Sequence, residues 1–409
     1  MPDVLVLLAQ IAGILVVARL VGRIIGLFGQ PQVVGEMLAG ILLGPSLLGW
    51  IAPDVWLALF PPASLGFLSA LSQIGLVFFM FLVGLELDPR HLRGRGHTAL
   101  LTSHASIIAP FLLGALLALL LYPRLSDDSV EFTAFALFMG AAMSVTAFPV
   151  LARMLAERGL LKTRLGAVAI ACAAVDDVSA WCLLAAVAVV ARAGEAAVPL
   201  PVMFGGVLLY AAVMLTVVRW GLARLQRVVE RRGELSQDAV AFVVFFILAS
   251  ALVTERLGIH AVFGAFLAGA VMPRDEKITG ALLERFHDLM VILFLPLFFA
   301  FTGLRTSVQL ISGDLWAWCA VVILVAVAGK VGGSAIAARA SGLTWREGWA
   351  LGTLMNTRGL MELVILNVGL DLGVISPALF AMMVLMALAT TLMTTPLLER
   401  IYPAAAIRD

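Results

Sequence analysis

Charge is what this chain has least of: only 13% of its 409 residues are Asp, Glu, Lys or Arg, against 62% hydrophobic side chains and a mean hydropathy of +1.07. A water-soluble domain carries about a quarter charged residues, so a soluble globular fold is excluded and a membrane protein is indicated. Twenty-seven basic residues against 26 acidic ones leave a net charge of +1. No basic surface is available to hold nucleic acid or another anionic polymer. Cysteine is scarce too, and Cys172, Cys182 and Cys319 lie in apolar runs without metal-ligand spacing. Neither a disulfide framework nor a zinc site is suggested; each reads as a small core residue. The opening MPDVLVLLAQIAGILVVARLV lacks a basic n-region and a small-residue cleavage site, which makes it a retained first span and not a signal peptide.

A bilayer core takes about 20 apolar residues per helix. On that ruler the chain divides into thirteen spans near 4–24, 31–50, 65–87, 98–122, 131–155, 164–191, 199–222, 237–254, 259–273, 286–304, 313–338, 347–368 and 376–398. Basic residues collect in cytoplasmic loops, and here they alternate as the count requires. With the N-terminus outside, 21 Lys and Arg fall on the inner side, among them Arg90, Arg93, Arg95, Arg153, Arg158, Lys162, Arg164 and the run Arg219 to Arg232. The outer side receives four (Arg124, Arg192, Arg256, Arg305), and Lys330 and Arg358 lie within spans. The odd number of spans then places the C-terminus in the cytoplasm. No polar stretch is long enough to form a soluble domain, so residues 1–409 read as a single membrane domain.

Span 2 contains VGEMLAGILLGP (Val34 to Pro45) and span 9 contains FGAFLAGAVMP (Phe263 to Pro273), and the likeness continues from FFMFLVGLELD (Phe78 to Asp88) to FFAFTGLRTS (Phe298 to Ser307). Spans 1 to 6, about 4–191, thus look duplicated in spans 8 to 13, about 237–398, with span 7, about 199–222, as the link. Copies seven spans apart enter the membrane from opposite faces, which is an inverted repeat and favours a transporter over a pore. Interrupted helices at matching positions point to the site. Span 5 holds Pro149 in MSVTAFPVLARM, whose ring blocks the helical bond to the Val145 carbonyl and frees backbone oxygens around Ser144 to Thr146. Span 12 holds Asn356, Thr357 and Gly359 in MNTRGLMELV. Freed carbonyls and hydroxyls suit a dehydrated monovalent cation.

Ionisable groups at helix centres are costly and mark a pathway or a pair. Asp176 and Asp177 sit mid-way along span 6 and point about 100° apart, so they have different jobs. One of them pairs with Lys330 of span 11; the other faces a wet cavity, where a cation or a proton must neutralise it. Withdrawal from water favours the neutral form of a carboxylate, so such a group holds H⁺ or a metal ion but not both. Exchange follows from that competition. Arg358 and Glu362, spaced i,i+4 on span 12, neutralise each other as structural charges. Glu36 faces Ala265 in the second copy, so symmetry does not demand it. His104 and His260, near helix ends, read as packed or solvated residues.

Taken together, GQPQVVGEMLAGILLGPSLLG, FFMFLVGLELD, SVTAFPVLARML, AAVDDVSAW, VFGAFLAGAVMP and MNTRGLMELVILNVG resemble the monovalent cation:proton antiporter-2 family, in particular its plant and bacterial cation/proton exchanger branch. The resemblance runs across nearly the whole chain. It implies an all-α polytopic membrane protein of the sodium/proton antiporter fold: thirteen transmembrane helices in inverted six-helix repeats, with spans 5 and 12 crossed and unwound. A core domain of helices at about 98–191 and 313–398 and a dimerisation domain at about 4–87 and 199–304 are implied with it, as are a homodimer in membrane lipid and elevator-like movement of the core. By the same resemblance Asp177 is the carboxylate that carries the proton and, transiently, Na⁺ or K⁺; Asp176 and Lys330 match the core ion pair, and Thr146 and Asn356 fall in the crossing segments. The activity implied is Na⁺/H⁺ or K⁺/H⁺ antiport serving pH homeostasis in a bacterial inner membrane, with no cofactor beyond the transported ions. Plant exchangers often have Asn, and potassium-efflux relatives Gln, where this chain has Asp176, the arrangement of electrogenic sodium/proton members. Relatives often carry a cytosolic regulatory domain after the last span; the sequence here ends at Asp409, so that domain is missing from it.

Two other classes compete with this reading. A cation channel or potassium-efflux pathway of the same fold is disfavoured by the repeat. An intramembrane aspartyl protease needs carboxylates converging from opposing helices, and Asp176 and Asp177 are neighbours on one helix, so the protein is not read as an enzyme.

Overall fold

The computed structural model describes residues 4–86, 96–126, 130–158, 160, 163–192, 200–224, 235–257 and 260–403. Arg90, Arg93, Arg95, Lys162 and, in the basic run, Arg227, Arg231 and Arg232 lie outside the described residues. Those described are helical, with no strand among them. Ten helices are long and apolar enough to cross a membrane, from Val4–Leu27 to Pro377–Ile401. Spans 5, 9 and 12 make up the thirteen: two are broken and one is short.

The broken spans each consist of two half-helices, Phe132–Ser144 with Phe148–Glu157 and Trp345–Met355 with Leu360–Asp371. In span 5 the interruption lies at residues 145–147, and Pro149 is the second residue of the half-helix that follows, where its missing N–H costs nothing. Span 9 is only Ala261–Ala270, which at 1.5 Å per residue reaches about half-way across a bilayer. The first helix of span 2, Gln32–Leu43, ends likewise at Gly44 ahead of Pro45. Both copies of the LAG motif therefore end shortly before a proline, Pro45 in one and Pro273 in the other. Span 10 starts earlier than its hydropathy suggests, at Glu276, because the Asp275 carboxylate accepts from the Lys277 and Ile278 amides at 2.9 and 3.2 Å. It runs through a π turn, Met290–Phe294, into Leu295–Leu304. Span 11, Leu315–Ala340, holds a second such turn, Ala328–Gly332, with Lys330 in it.

The two LAG motifs make matching contacts. Gly40 of span 2 lies against Gly303 of span 10, and Gly269 of span 9 lies against Gly84 of span 3, each with backbone touching backbone so that a Cβ on either side has no room. Span 2 meets the copy of span 3, and span 9 meets span 3 itself, as an inverted repeat requires. Spans 1, 2, 3, 8, 9 and 10 pack mainly on one another, and so do spans 4, 5, 6, 11, 12 and 13. Leu5, Leu8, Val16 and Leu20 of span 1 and Phe245 and Leu252 of span 8 point outward, as lipid-facing side chains do, whereas Met382, Met383 and Val384 of span 13 are buried.

One face of the bundle gathers most of the described arginines. There Arg158 pairs with Glu399 at 2.7 Å, Arg346 donates to the Ile401 carbonyl at 2.9 Å and Arg274 to that of Leu85 at 3.0 Å. Arg305 lies on the opposite face, 2.6 Å from Asp371.

Candidate functional site

Spans 5 and 12 cross at their breaks, where the Ala147 amide donates to the Thr357 carbonyl at 2.9 Å. A Cβ on Gly359 would stand 2.9 Å from Val150 Cγ2 and 3.4 Å from Ala147 Cβ, so a larger residue here requires the Val150 side chain to shift. A helix broken in mid-membrane exposes two dipole ends, a positive N-terminus and a negative C-terminus. Both ends in span 5 are met by charge. The Phe148 amide, first in its half-helix, donates to Asp177. The last-turn carbonyls of Ala142 and Met143 accept from the Arg358 guanidinium at 2.8 and 2.7 Å, and Arg358 also pairs with Glu362 Oε2 at 2.7 Å. Glu362 lies in the first turn of Leu360–Asp371, where its charge suits that helix's N-terminus. The Thr391 hydroxyl of span 13 accepts from the Arg358 amide at 3.0 Å and donates to one carbonyl, with that of Arg358 at 2.7 Å and that of Ala387 at 2.8 Å.

The two aspartates differ as their spacing implied. Both oxygens of Asp176 have donors in reach: Lys330 Nζ lies 2.6 Å and the Thr146 hydroxyl 2.8 Å from Oδ2, and the Ser106 hydroxyl, whose one proton is shared with the Ser103 carbonyl at 2.8 Å, lies 2.8 Å from Oδ1. Lys330 donates a second bond to the Ser106 carbonyl at 2.9 Å. Thr146 has one proton and two acceptors in reach, Asp176 and the Met355 carbonyl at 2.9 Å, so it serves one at a time. Asp177, only 2% exposed, receives the Phe148 amide but its Oδ1 has no hydrogen-bond partner among the described residues, and neither has Oδ1 of the buried Asn356. A carboxylate oxygen left in that condition is costly until a cation or a proton meets it.

Three of the expected site residues, Asp176, Thr146 and Lys330, are joined by direct bonds, and Asp177 and Asn356 present open oxygens. Ser144 does not join them: its hydroxyl donates to the Ala141 carbonyl of its own helix at 2.8 Å. The carbonyls freed by the break are not all open either, since Arg358 holds those of Ala142 and Met143. Ser106, Thr391 and this grip of Arg358 were not anticipated. Arg358 alone carried a signal, being charged and adjacent to a break.

A cavity of about 210 Å³ on the arginine-rich side touches the crossing at Val150 and Leu360 and is lined also by Glu36, Glu86 and His287 of spans 2, 3 and 10; Asp177, expected to face a cavity, is buried and does not line it. On the opposite side a smaller cavity measures about 20 Å³. There Arg305 binds Asn367 at 3.0 Å and Asp371 at 2.6 Å, and Asn367 binds Thr302 at 2.8 Å. His260 borders that space, and His104 is exposed on span 4.

Broken helices crossing beside an aspartate with an open oxygen and a lysine-neutralised neighbour, with the larger described cavity on one face, fit a membrane carrier for a small cation. The transmembrane sodium/hydrogen exchanger family matches residues 11–400, and the chain belongs to that family of transporters. It is 46% identical to the Na⁺/H⁺ antiporter NhaS4 of Synechocystis over 98% of both chains. It is 41% identical to cation/H⁺ antiporter 17 of Arabidopsis thaliana and 35% identical to K⁺/H⁺ antiporter 1 of Saccharomyces cerevisiae, matching 97% of itself but 48% and 46% of those proteins. The chain thus spans about half the length of the plant and yeast relatives. The solved structure of the sodium proton antiporter MjNhaP1 from Methanocaldococcus jannaschii superposes with a TM-score of 0.69 at 14% identity, over 99% of this chain and 100% of that one.

Proposed function

We propose that the protein exchanges Na⁺ for H⁺, with both ions taking turns on Asp177. Cation/proton antiport is the activity of its family; the choice of ion and of residue is the inference. The observation that carries it is the contrast on one helix turn between Asp176, paired with Lys330 and with a donor in reach of each oxygen, and Asp177, whose Oδ1 faces no donor. Asn356 Oδ1, another buried oxygen without a donor, adds one further ligand for the cation, with Thr146 holding Asp176 in place. Sodium is chosen over potassium because a relative matched over 98% of its length bears the Na⁺/H⁺ name.

Spans 4–6 and 11–13 form a core that moves against a dimerisation domain of spans 1–3 and 8–10, and the homodimer forms through the latter. The packing of the two helix groups on themselves supports that division. The arginine-rich face is the cytoplasmic one, so the 210 Å³ cavity is the inward-open route and the Arg305–Asp371 contact closes the outer side. In liposomes holding a pH dye, added Na⁺ should collapse an imposed proton gradient. Asp177→Asn should abolish the response; a fully active Asp177→Asn sinks the assignment, and flux that fails to saturate with Na⁺ favours a channel.

A further inference from the structure

Span 13 buries Thr390, Thr391 and Thr394 within four residues. The Thr390 hydroxyl has the Met386 and Ala387 carbonyls in reach at 2.8 and 3.1 Å, and that of Thr394 donates to the Thr390 carbonyl at 2.9 Å. Both bond their own helix, as a threonine within a helix ordinarily does. Thr391 also reaches across to span 12. Its oxygen accepts from the Arg358 amide at 3.0 Å, and its one proton has the Arg358 carbonyl at 2.7 Å and the Ala387 carbonyl at 2.8 Å to choose between. Arg358 lies between Trp345–Met355 and Leu360–Asp371, so its peptide groups stand outside both half-helices. Buried peptide groups in that position need partners from elsewhere. One hydroxyl stands within reach of both.

The internal repeat gives this contact a counterpart. Spans 6 and 13 are the last of their copies, and Asp177 of span 6 accepts from the Phe148 amide at the break in span 5 as Thr391 of span 13 accepts from the Arg358 amide at the break in span 12. Each is the second of a like pair, Asp176–Asp177 and Thr390–Thr391. Where the first copy holds its break with a carboxylate, the second uses a hydroxyl, which carries no charge to compete for the cation. We propose that Thr391 is a positioning residue for exchange: by holding the Arg358 peptide it fixes the unwound segment of span 12, and with it the aim of Asn356, two residues earlier, at the cation. The inference rests on the exchange reading given above. The Ala147 amide, 2.9 Å from the Thr357 carbonyl, holds the same segment from span 5, so the segment is gripped from two sides at adjacent residues.

The test compares Thr391→Val, Thr391→Ser and Thr394→Val in liposomes, reading the Na⁺ concentration that half-saturates exchange separately from the maximal rate. Valine keeps the shape of threonine and loses the tie, so the half-saturating concentration should rise about tenfold, equivalent to about 1.4 kcal/mol of cation binding, with the maximal rate within about twofold. Thr391→Ser keeps the hydroxyl and should restore the unaltered value. Thr394→Val deletes an equally buried hydroxyl that bonds only its own helix, and should leave half-saturation where it was. Unchanged half-saturation in Thr391→Val, an equal shift in Thr394→Val, or no rescue by serine overturns the positioning role. Should Thr391→Val fail to fold, Thr391→Cys, a weaker donor and acceptor of the same shape as serine, is expected to raise half-saturation about threefold over Thr391→Ser, and equal values refute the role. Absence of a saturable Na⁺ response in the unaltered protein would overturn the exchange reading itself, before any substitution is made.

Discussion

Replacing Lys330 with alanine should destabilise the protein far more than it impairs exchange. Lys330 and Asp176 are both wholly shielded and their charged atoms lie 2.6 Å apart. Removing one partner of such a pair leaves an unmatched charge in a medium of low polarisability, at a cost of about 3–5 kcal/mol. Spread over an unfolding entropy of about 2.1 cal/mol/K per residue for 409 residues, that loss lowers the melting temperature by about 4–6 °C. Substituting both partners, Asp176→Asn with Lys330→Met, removes the charges together and should recover more than half of the deficit. Thermal unfolding in detergent, read on the two single variants and the double, gives the coupling directly. A double variant as unstable as the sum of the singles, or a Lys330→Ala melting curve that does not move, would show that the pair contributes nothing. Exchange by the folded fraction of Lys330→Ala should continue, since Asp177 and the crossing remain.

Three other substitutions probe separate parts of the account. Arg358→Ala strands Glu362 and uncovers two helix-end carbonyls, so a loss of about 3–5 kcal/mol is expected on the same unfolding assay, and Lys at that position should restore little because it cannot hold three oxygens in fork geometry. Gly303→Leu drives a side chain into the Gly40 backbone and should cost about 1–3 kcal/mol or prevent assembly, whereas Gly280→Ala, in open space, should be silent. Arg305→Ala, whose partners are partly exposed, should change stability by no more than about 1 kcal/mol. It should nonetheless raise labelling of a cysteine placed at Ser72 from the outer side; unaltered labelling would show that the Arg305 contact does not guard that route.

The membrane character, the thirteen spans and the duplicated LAG motif could be read from the chain because each depends on local composition or on a short ordered match. The role of the motif's glycine was half legible: small residues announced close packing, but only the fold shows Gly40 meeting Gly303 and Gly269 meeting Gly84. The pairing of Lys330 with an aspartate followed from the expense of lone buried charge, and the geometry supplies the choice of Asp176. The length of span 9 was overestimated since hydropathy does not register where the backbone turns at His260 and Pro273. Arg358 was assigned its i,i+4 partner, which spacing reveals. Its bonds to Ala142 and Met143 cross more than 200 positions of sequence, and no periodicity reports on such a distance. Thr391 and Ser106 were missed for the same reason: a threonine or serine in a helix looks alike whether it braces a broken strand of backbone or bonds its own turn.

The competition on a single carboxylate is tested most directly by the concentration of Na⁺ that half-saturates exchange, measured across pH in liposomes. If one proton and one cation exclude each other from Asp177, that concentration climbs toward about tenfold per unit of acidification once protons prevail, while the maximal rate at saturating Na⁺ holds steady. A half-saturating concentration that ignores pH, with only the maximal rate responding, would mean that the two ions do not share a site.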